Sequence, residues 1–319
     1  MKALIAIDGS TESAQAVETA ASLAWPDGSR LEVLTVLPTD AELSGGPWSV
    51  GVAYVPIEDL RDRLEPERRR ALDEATGRLR RPGLDVVARL GRGRAASVIV
   101  DTARQMGADL IVLGARGHGV IAGALLGSVS AEVVDQTHSA VLVARRPSTG
   151  RILIGTDGSE VATSAAAFVG GSGLFPAAET RVVHAIDLHP DWWMGFTPGD
   201  AVLAADAYAT VVEESRQRAS EVTSAAADLL RSNGLSPSTG VLDGPAAAAI
   251  ADEARTWGAD VVVVGTRGNG LLKRLLVGST ARSLLHHADA SVLIFRGPPT
   301  SGAADGPTTT TIPAKPVHA

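Results

Sequence analysis

The sequence predicts a duplicated α/β protein, each half an open parallel sheet with helices on both faces. Three observations carry that expectation. Short unbroken apolar runs such as Ala3-Leu4-Ile5-Ala6-Ile7 and Leu110-Ile111-Val112-Leu113 read as strands covered on both faces. Helical patterns separate the runs, and strand–helix alternation builds parallel sheets. The whole order then recurs at a near-constant offset of about 150 residues. Asp8-Gly9-Ser10 returns as Asp157-Gly158-Ser159, Gly107-Ala108-Asp109 as Gly258-Ala259-Asp260, and Gly114 as Gly265. An offset this steady means a duplicated domain, not a chance motif.

The first strand is expected at Ala3–Ile7, with Ser10 or Thr11 capping a helix that buries alanines, Val17 and Leu23. Trp25-Pro26-Asp27-Gly28 breaks it, and Leu31–Leu37 is the second strand. A long loop from Pro38 to Pro56 leads to a charged helix, roughly Ile57 to Arg80, which Pro66 bends or begins. Leu84–Leu90 is the third strand, turned by Gly91-Arg92-Gly93 into a helix at Ala95–Met106. The fourth strand, Asp109–Leu113, empties into a glycine loop; a helix to about Thr137 and a fifth strand at Ala140–Ala144 follow. The second half places strands at Arg151–Gly155, Arg181–Ile186, about Thr239–Leu242, Asp260–Val264 and Ser291–Phe295. Its helix after Gly244 opens with Pro245, which suits a first helical position. The expected domains are residues 1–146 and 151–297, joined by a linker at 147–150, with a Pro- and Thr-rich tail at 298–319 expected to be disordered.

Composition narrows the function classes. The 319 residues carry 29 Lys and Arg against 36 Asp and Glu, a net charge of −7 that gives nucleic acid no basic face. Acidic residues interrupt the basic cluster from Arg61 to Arg81, which reads as a solvated helix surface. The absence of cysteine excludes disulfides and thiolate chemistry. The apolar run before Asp8 is too short for a signal peptide, and no apolar stretch is long enough to span a membrane, so a cytoplasmic location is expected.

The chemistry-bearing stretch is GARGHGVIAGALLGS, from Gly114 to Ser128, matched by GTRGNGLLKRLLVGS from Gly265 to Ser279. Glycines between a strand and a helix start let backbone approach a phosphate, and the first-turn N–H groups point toward it. Cationic help is modest: Arg116 and His118 in the first loop, Arg267, Lys273 and Arg274 in the second, the last two suggesting tighter binding there. The plain alternative is that these glycines only let a helix pack closely. The pattern matches neither Gly-x4-Gly-Lys-Ser/Thr nor Gly-x-Gly-x-x-Gly. Asp8 and Asp157 read either as turn residues before a helix cap or as ligands to a ribose or a magnesium ion.

On Asp-Gly-Ser, Gly-Ala-Asp and above all Gly-x2-Gly-x9-Gly-Ser, the chain resembles the universal stress protein family in its tandem, ATP-binding form, over about residues 1–297. The resemblance implies two Rossmann-like domains of the adenine nucleotide α-hydrolase-like kind, each with five parallel strands in the order 3-2-1-4-5. It implies ATP and Mg2+ as ligands. Phosphates would lie on Gly114, Gly117, Gly127 and Ser128, and on Gly265, Gly268, Gly278 and Ser279, with Arg116, Val129, Arg267 and Thr280 also expected at the nucleotide. Asp8 with Gly9, and Asp157 with Gly158, would lie near ribose and metal; Val36 and Ala185 would meet adenine by their backbones; Gly93 and Gly244 match the family's glycine after strand three. The implied role is a nucleotide-dependent regulator of the stress response, without a catalytic residue set. It would pair through strand five, within the chain or as a homodimer, and act on an unnamed protein partner, without nucleic acid or membrane. A slow Mg-dependent ATPase, an adenylate-transferring enzyme and a flavin-binding subunit are the competing readings.

Other residues have plainer expectations. Trp192-Trp193, Met194, Phe196 and Trp48 form a lid, a partner surface or a seal over their own domains. His138, His286 and His287 suit helix ends, and His184 reads as a satisfied core histidine.

Overall fold

The computed structural model describes residues 1–39, 57–117, 126–188, 200–266 and 278–296. The first half runs β1 (Lys2–Ile7), α1 (Thr11–Ser22), β2 (Arg30–Leu37), α2 (Ile57–Leu79), β3 (Asp85–Arg92), α3 (Ala95–Met106), β4 (Leu110–Gly114), α4 (Ser128–Gln136) and β5 (Ala140–Ala144). The second half repeats the series. It runs β6 (Arg151–Gly155), α5 (Glu160–Gly171), β7 (Glu179–Ile186), α6 (Asp200–Arg231), β8 (Ser238–Asp243), α7 (Ala246–Trp257), β9 (Val261–Gly265), α8 (Ser279–His287) and β10 (Ser291–Phe295).

All these strands join one ten-stranded sheet of order β3-β2-β1-β4-β5-β10-β9-β6-β7-β8. Each half is therefore a parallel 3-2-1-4-5 sheet. The two meet in the middle by antiparallel pairing of β5 with β10, where Leu142 stands opposite Leu293. The order reverses between β1 and β4 and again between β6 and β9, so each half has a crevice at the carboxyl ends of those strands.

Two apolar layers sandwich the sheet, and each runs through both halves. One packs α1, α2, α5 and α6 on the sheet through residues such as Ala16, Leu72, Val169 and Leu230. The other packs α3, α4, α7 and α8 through Ile99, Val133, Ile250 and Leu284. Fully buried side chains such as Leu31, Leu142 and Ile152 each contribute about 1.5–3 kcal/mol by leaving water.

The local signals act as written. Ser10 caps α1 and Ser159 caps α5, their hydroxyls accepting from Ser13 N and Ala162 N at 3.2 and 3.3 Å. Gly107 and Gly258 end α3 and α7 in the left-handed region, φ 64° and 73°, which a glycine adopts without strain. The aspartates two residues on accept from the opening amides of β1 and β6, Asp109 from Lys2 N at 2.8 Å and Asp260 from Arg151 N at 2.9 Å. The repeated Gly-Ala-Asp is thus a helix stop followed by a strand anchor.

Some boundaries differ from expectation. β3 continues through Gly91 and Arg92, because its ladder with Val36 and Leu37 continues; Gly93 alone makes the turn. The helix α2 begins at Ile57 and passes through Pro66, so the proline does not start it. β4 and β9 begin one residue later than expected, at Leu110 and Val261. Nor is His184 satisfied: its Nδ1 is buried without a partner among the described residues. The aromatic loop residues Trp48, Trp192, Trp193, Met194 and Phe196, and the expected tail, lie outside the described residues. No described helix is long and apolar enough to cross a membrane.

Candidate functional site

In the first crevice the chain leaves β1 through Asp8-Gly9-Ser10, with Gly9 at φ 80°. Asp8 Oδ1 accepts from Ser10 N at 3.0 Å and from Ser10 Oγ at 2.5 Å, so the turn expected from sequence is formed by one carboxylate oxygen. The other oxygen faces the glycine loop. A Cβ built on Gly117 would land on Asp8 Oδ2. The loop after β4 and the aspartate after β1 are in direct contact.

The remaining loop glycines have distinct reasons. A Cβ at Gly114 would stand 2.6 Å from the backbone carbonyl oxygen of Glu12, in the first turn of α1, where only backbone could yield. Close helix packing therefore accounts for Gly114. Gly127 N donates to Ala115 O at 2.7 Å, closing the loop onto itself. Beyond it, α4 opens at Ser128 and Val129 with no side-chain cap, leaving its first-turn amides without the hydroxyl partner that α1 has. Ser130 Oγ donates to Gly114 O at 2.8 Å and ties helix to strand. Arg116 lies 3.3 Å from Glu12 Oε1. Val36 is at the end of β2, where Gly93 N donates to Leu37 O at 3.0 Å.

The described part of the second crevice repeats the aspartate turn, the closing glycine bond and the uncapped helix start. Asp157 Oδ1 accepts from Ser159 N at 3.0 Å, after Gly158 at φ 76°. Gly265 lies against α5, its Cβ position 3.0 Å from Val161 Cγ1. Gly278 N donates to Thr266 O at 2.6 Å, and α8 opens uncapped at Ser279 and Thr280. Ala185 is near the end of β7, where Gly244 N donates to Ile186 O at 2.9 Å. Arg267, Gly268, Lys273, Arg274 and, in the first half, His118 lie outside the described residues. Thr35 Oγ1 and His184 Nδ1, each one residue before Val36 and Ala185, are buried polar atoms without partners among the described residues.

Two arginines were missed by the sequence. Arg68, read as part of a solvated surface, is half-buried on α2, and its Nη1 is buried without a hydrogen-bond partner among the described residues. Burial pushes its guanidinium below the usual arginine range, and Asp8 is the carboxylate that most opposes this. A signal was present: Leu64, Arg68, Leu72, Ala75 and Leu79 share the apolar stripe of the helix. Arg145, just past β5, is lowered to about 10, first by burial and then by Arg116 beside it. Its Nη2 donates to Leu285 O at 2.5 Å, at the end of α8 in the other half. Arg296 makes the reciprocal contact, donating to Val134 O and Asp135 O at the end of α4. Between the halves lies a separate cleft of about 360 Å³, bordered by Glu12, Arg116, Arg145, His286, His287 and Asp289. The two histidines are in the last turn of α8, at the end the dipole favours.

The class is now defined: a tandem, doubly wound α/β protein with an aspartate turn after the first strand of each half and, in the first half, a glycine loop against that turn. The sequence model of the universal stress protein family matches residues 1–145 and again residues 149–296, and the chain belongs to that family. It is similar to the universal stress protein Rv1996 of Mycobacterium tuberculosis, 27% identical over 316 residues, covering 92% of this chain and 95% of that protein. It is 32% identical over 151 residues to the universal stress protein YxiE of Bacillus subtilis, covering 45% of this chain and 98% of that protein. The fold is also that of a universal stress protein from Archaeoglobus fulgidus, with a TM-score of 0.60 at 18% identity, covering 92% of this chain and 98% of that one.

Proposed function

We propose that this chain is a nucleotide-dependent regulator of the stress response that binds one ATP in each half. The two binding domains would be residues 1–146 and 151–297, joined by the 147–150 linker. The observation that carries the reading is the contact between Gly117 and Asp8. A Cβ there would force the loop or the carboxylate to move, and a bare backbone lets the two sit together. A loop needed only for packing would be explained by Gly114; the bare position at Gly117 faces the crevice acid.

The residues present fit a triphosphate. The uncapped first turns of α4 and α8 offer amides and a positive helix end, and Ser128, Val129, Ser279 and Thr280 are the positions that would present them. Gly127 and Gly278 shape the loops, while Val36 and Ala185 end the strands beside which adenine would lie. Arg116 and Arg267 would add charge at the loops. No described cluster of three acidic or histidine groups could hold a metal by itself, so Mg2+ would arrive on the triphosphate with Asp8 or Asp157 as its protein carboxylate. The metal's chemistry there is charge neutralisation. With the phosphates at a helix start and the adenine at a strand end, the nucleotide would bridge loop, turn and helix. Occupancy would then alter the surface offered to a protein partner.

The test is the small molecule released when freshly purified protein is denatured. Mass spectrometry is expected to find adenine nucleotide at up to two per chain. Protein that carries none and takes up none on incubation with MgATP would overturn the reading, and a released flavin would replace it.

A further inference from the structure

The junction between the halves is symmetric in backbone and unequal in chemistry. Aligning Gly127-Ser128 with Gly278-Ser279 sets His286 and His287, in the last turn of α8, against Asp135 and Gln136 at the end of α4. The same offset sets Ala144, the last residue of β5, against Phe295, the last of β10. Arg145 and Arg296 also correspond, and each donates to the end of the other half's last helix. One side of the junction thus carries two imidazoles and a methyl group where the other carries a carboxylate, an amide and an aromatic ring. That ring packs on Phe168 at 5.5 Å, and Asp135 is paired with Arg282 at 3.1 Å. The cleft of about 360 Å³ opens on the imidazole side, with Ala144 in its wall.

We infer that this cleft is a separate ligand site, for a phosphate group, and that it fills as its histidines take up protons. The inference does not depend on the nucleotide reading: of the residues expected at the nucleotide, only Arg116 lines the cleft. Charge sets the class of ligand. Arg116 is paired with Glu12 at 3.3 Å, and Asp289 is the carboxylate that offsets the burial of Arg145. Two guanidiniums and two carboxylates cancel, so His286 and His287 decide the sign of the cleft. His287 Nδ1 lies 2.8 Å from Ser283 O. A carbonyl only accepts, so the proton sits on Nδ1, and Nε2 becomes a donor once the ring is protonated. Each proton gained makes the cleft more positive. Its cationic groups come from the loop after β4, the end of β5 and the last turn of α8. A tetrahedral phosphate accepts from several directions at once, and the planar fork of an arginine suits its oxygens.

The experiment is calorimetric titration of the full chain with sodium sulfate, a tetrahedral dianion that keeps its charge, at about pH 6 and about pH 8. Wild type is expected to bind it at least about tenfold more tightly at the lower pH. The double variant His286→Gln/His287→Gln is expected to lose that difference. Arg145→Met, with folding checked by circular dichroism, is expected to weaken binding about 10- to 100-fold at the lower pH. Glycerol 3-phosphate and inorganic phosphate at the lower pH separate the sources of the group. Tighter binding of the ester marks a phosphomonoester as the ligand, and equal binding marks free phosphate. Sulfate that binds wild type equally at both pH values, or binds both variants as it binds wild type, would overturn the inference. So would a chain that binds none of the three anions at the lower pH. MgATP uptake by the histidine variant should match wild type, which shows that a lost anion site is not lost folding. A chain that takes up no MgATP but binds sulfate as described would remove the nucleotide reading and leave this one standing.

Discussion

Gly117 and Asp8 show how much a single missing side chain can decide. Adding a methyl at Gly117 forces either the loop or the carboxylate to move, and overpacking of this kind costs about 1–3 kcal/mol. Gly117→Ala is therefore expected to weaken ATP at the first crevice by roughly tenfold or more, with a melting temperature near that of the parent, because the strain falls on a loop. Unchanged affinity would take the loop out of the site. Ser10 has a different role, capping α1 and donating to Asp8. Ser10→Ala should cost about 1 kcal/mol of stability, read from urea unfolding, by leaving the Ser13 amide without its cap. Sequence alone made the Asp-Gly-Ser turns and the cap legible, because each rests on contacts within a few residues; the glycine loops were legible through their repetition, although Gly114 and Gly117 meet Glu12 and Asp8 from far along the chain. Arg68 was not legible as a half-buried group. Its neighbours Arg69 and Arg70 are exposed, and only the position of Arg68 on the apolar stripe separates it from them.

At the scale of the element, the last helix of each half is held at its carbonyl end by an arginine from the other half. Arg145 reaches α8 and Arg296 reaches α4. These helices begin at the glycine loops, so each loop is connected through one rigid helix to the opposite domain. Arg145→Met leaves Leu285 O without this donor and relieves the like charge of Arg116. Because the lost bond is charge-assisted and largely buried, the net effect is expected to be a destabilisation of about 1–3 kcal/mol in chemical denaturation. A variant as stable as the parent would show that relief of the Arg116–Arg145 repulsion outweighs the bond. Strand existence was legible from apolar runs, whereas strand ends were not. β3 extends over Gly91 and Arg92 because a partner strand continues beside it, and the sequence of a strand does not contain its partner's length.

Across the whole molecule, duplication produces a single body. The β5–β10 pairing makes one sheet, and both apolar layers include residues from each half. The family resemblance implied the 3-2-1-4-5 order and pairing through strand five, and the described strands follow both. A continuous core predicts a single cooperative thermal transition by calorimetry, with matching calorimetric and van't Hoff enthalpies. Two resolved transitions would mean the halves unfold separately despite their shared sheet. The central claim is that each half of this one body holds a nucleotide between its aspartate turn and its glycine loop. A crystal structure of the full chain with MgATP tests it most directly. The account predicts triphosphate density at the carboxyl ends of β1 and β4 and of β6 and β9, against Asp8 and Asp157. Empty crevices, or nucleotide seated in the cleft between Arg116 and His286, would contradict it.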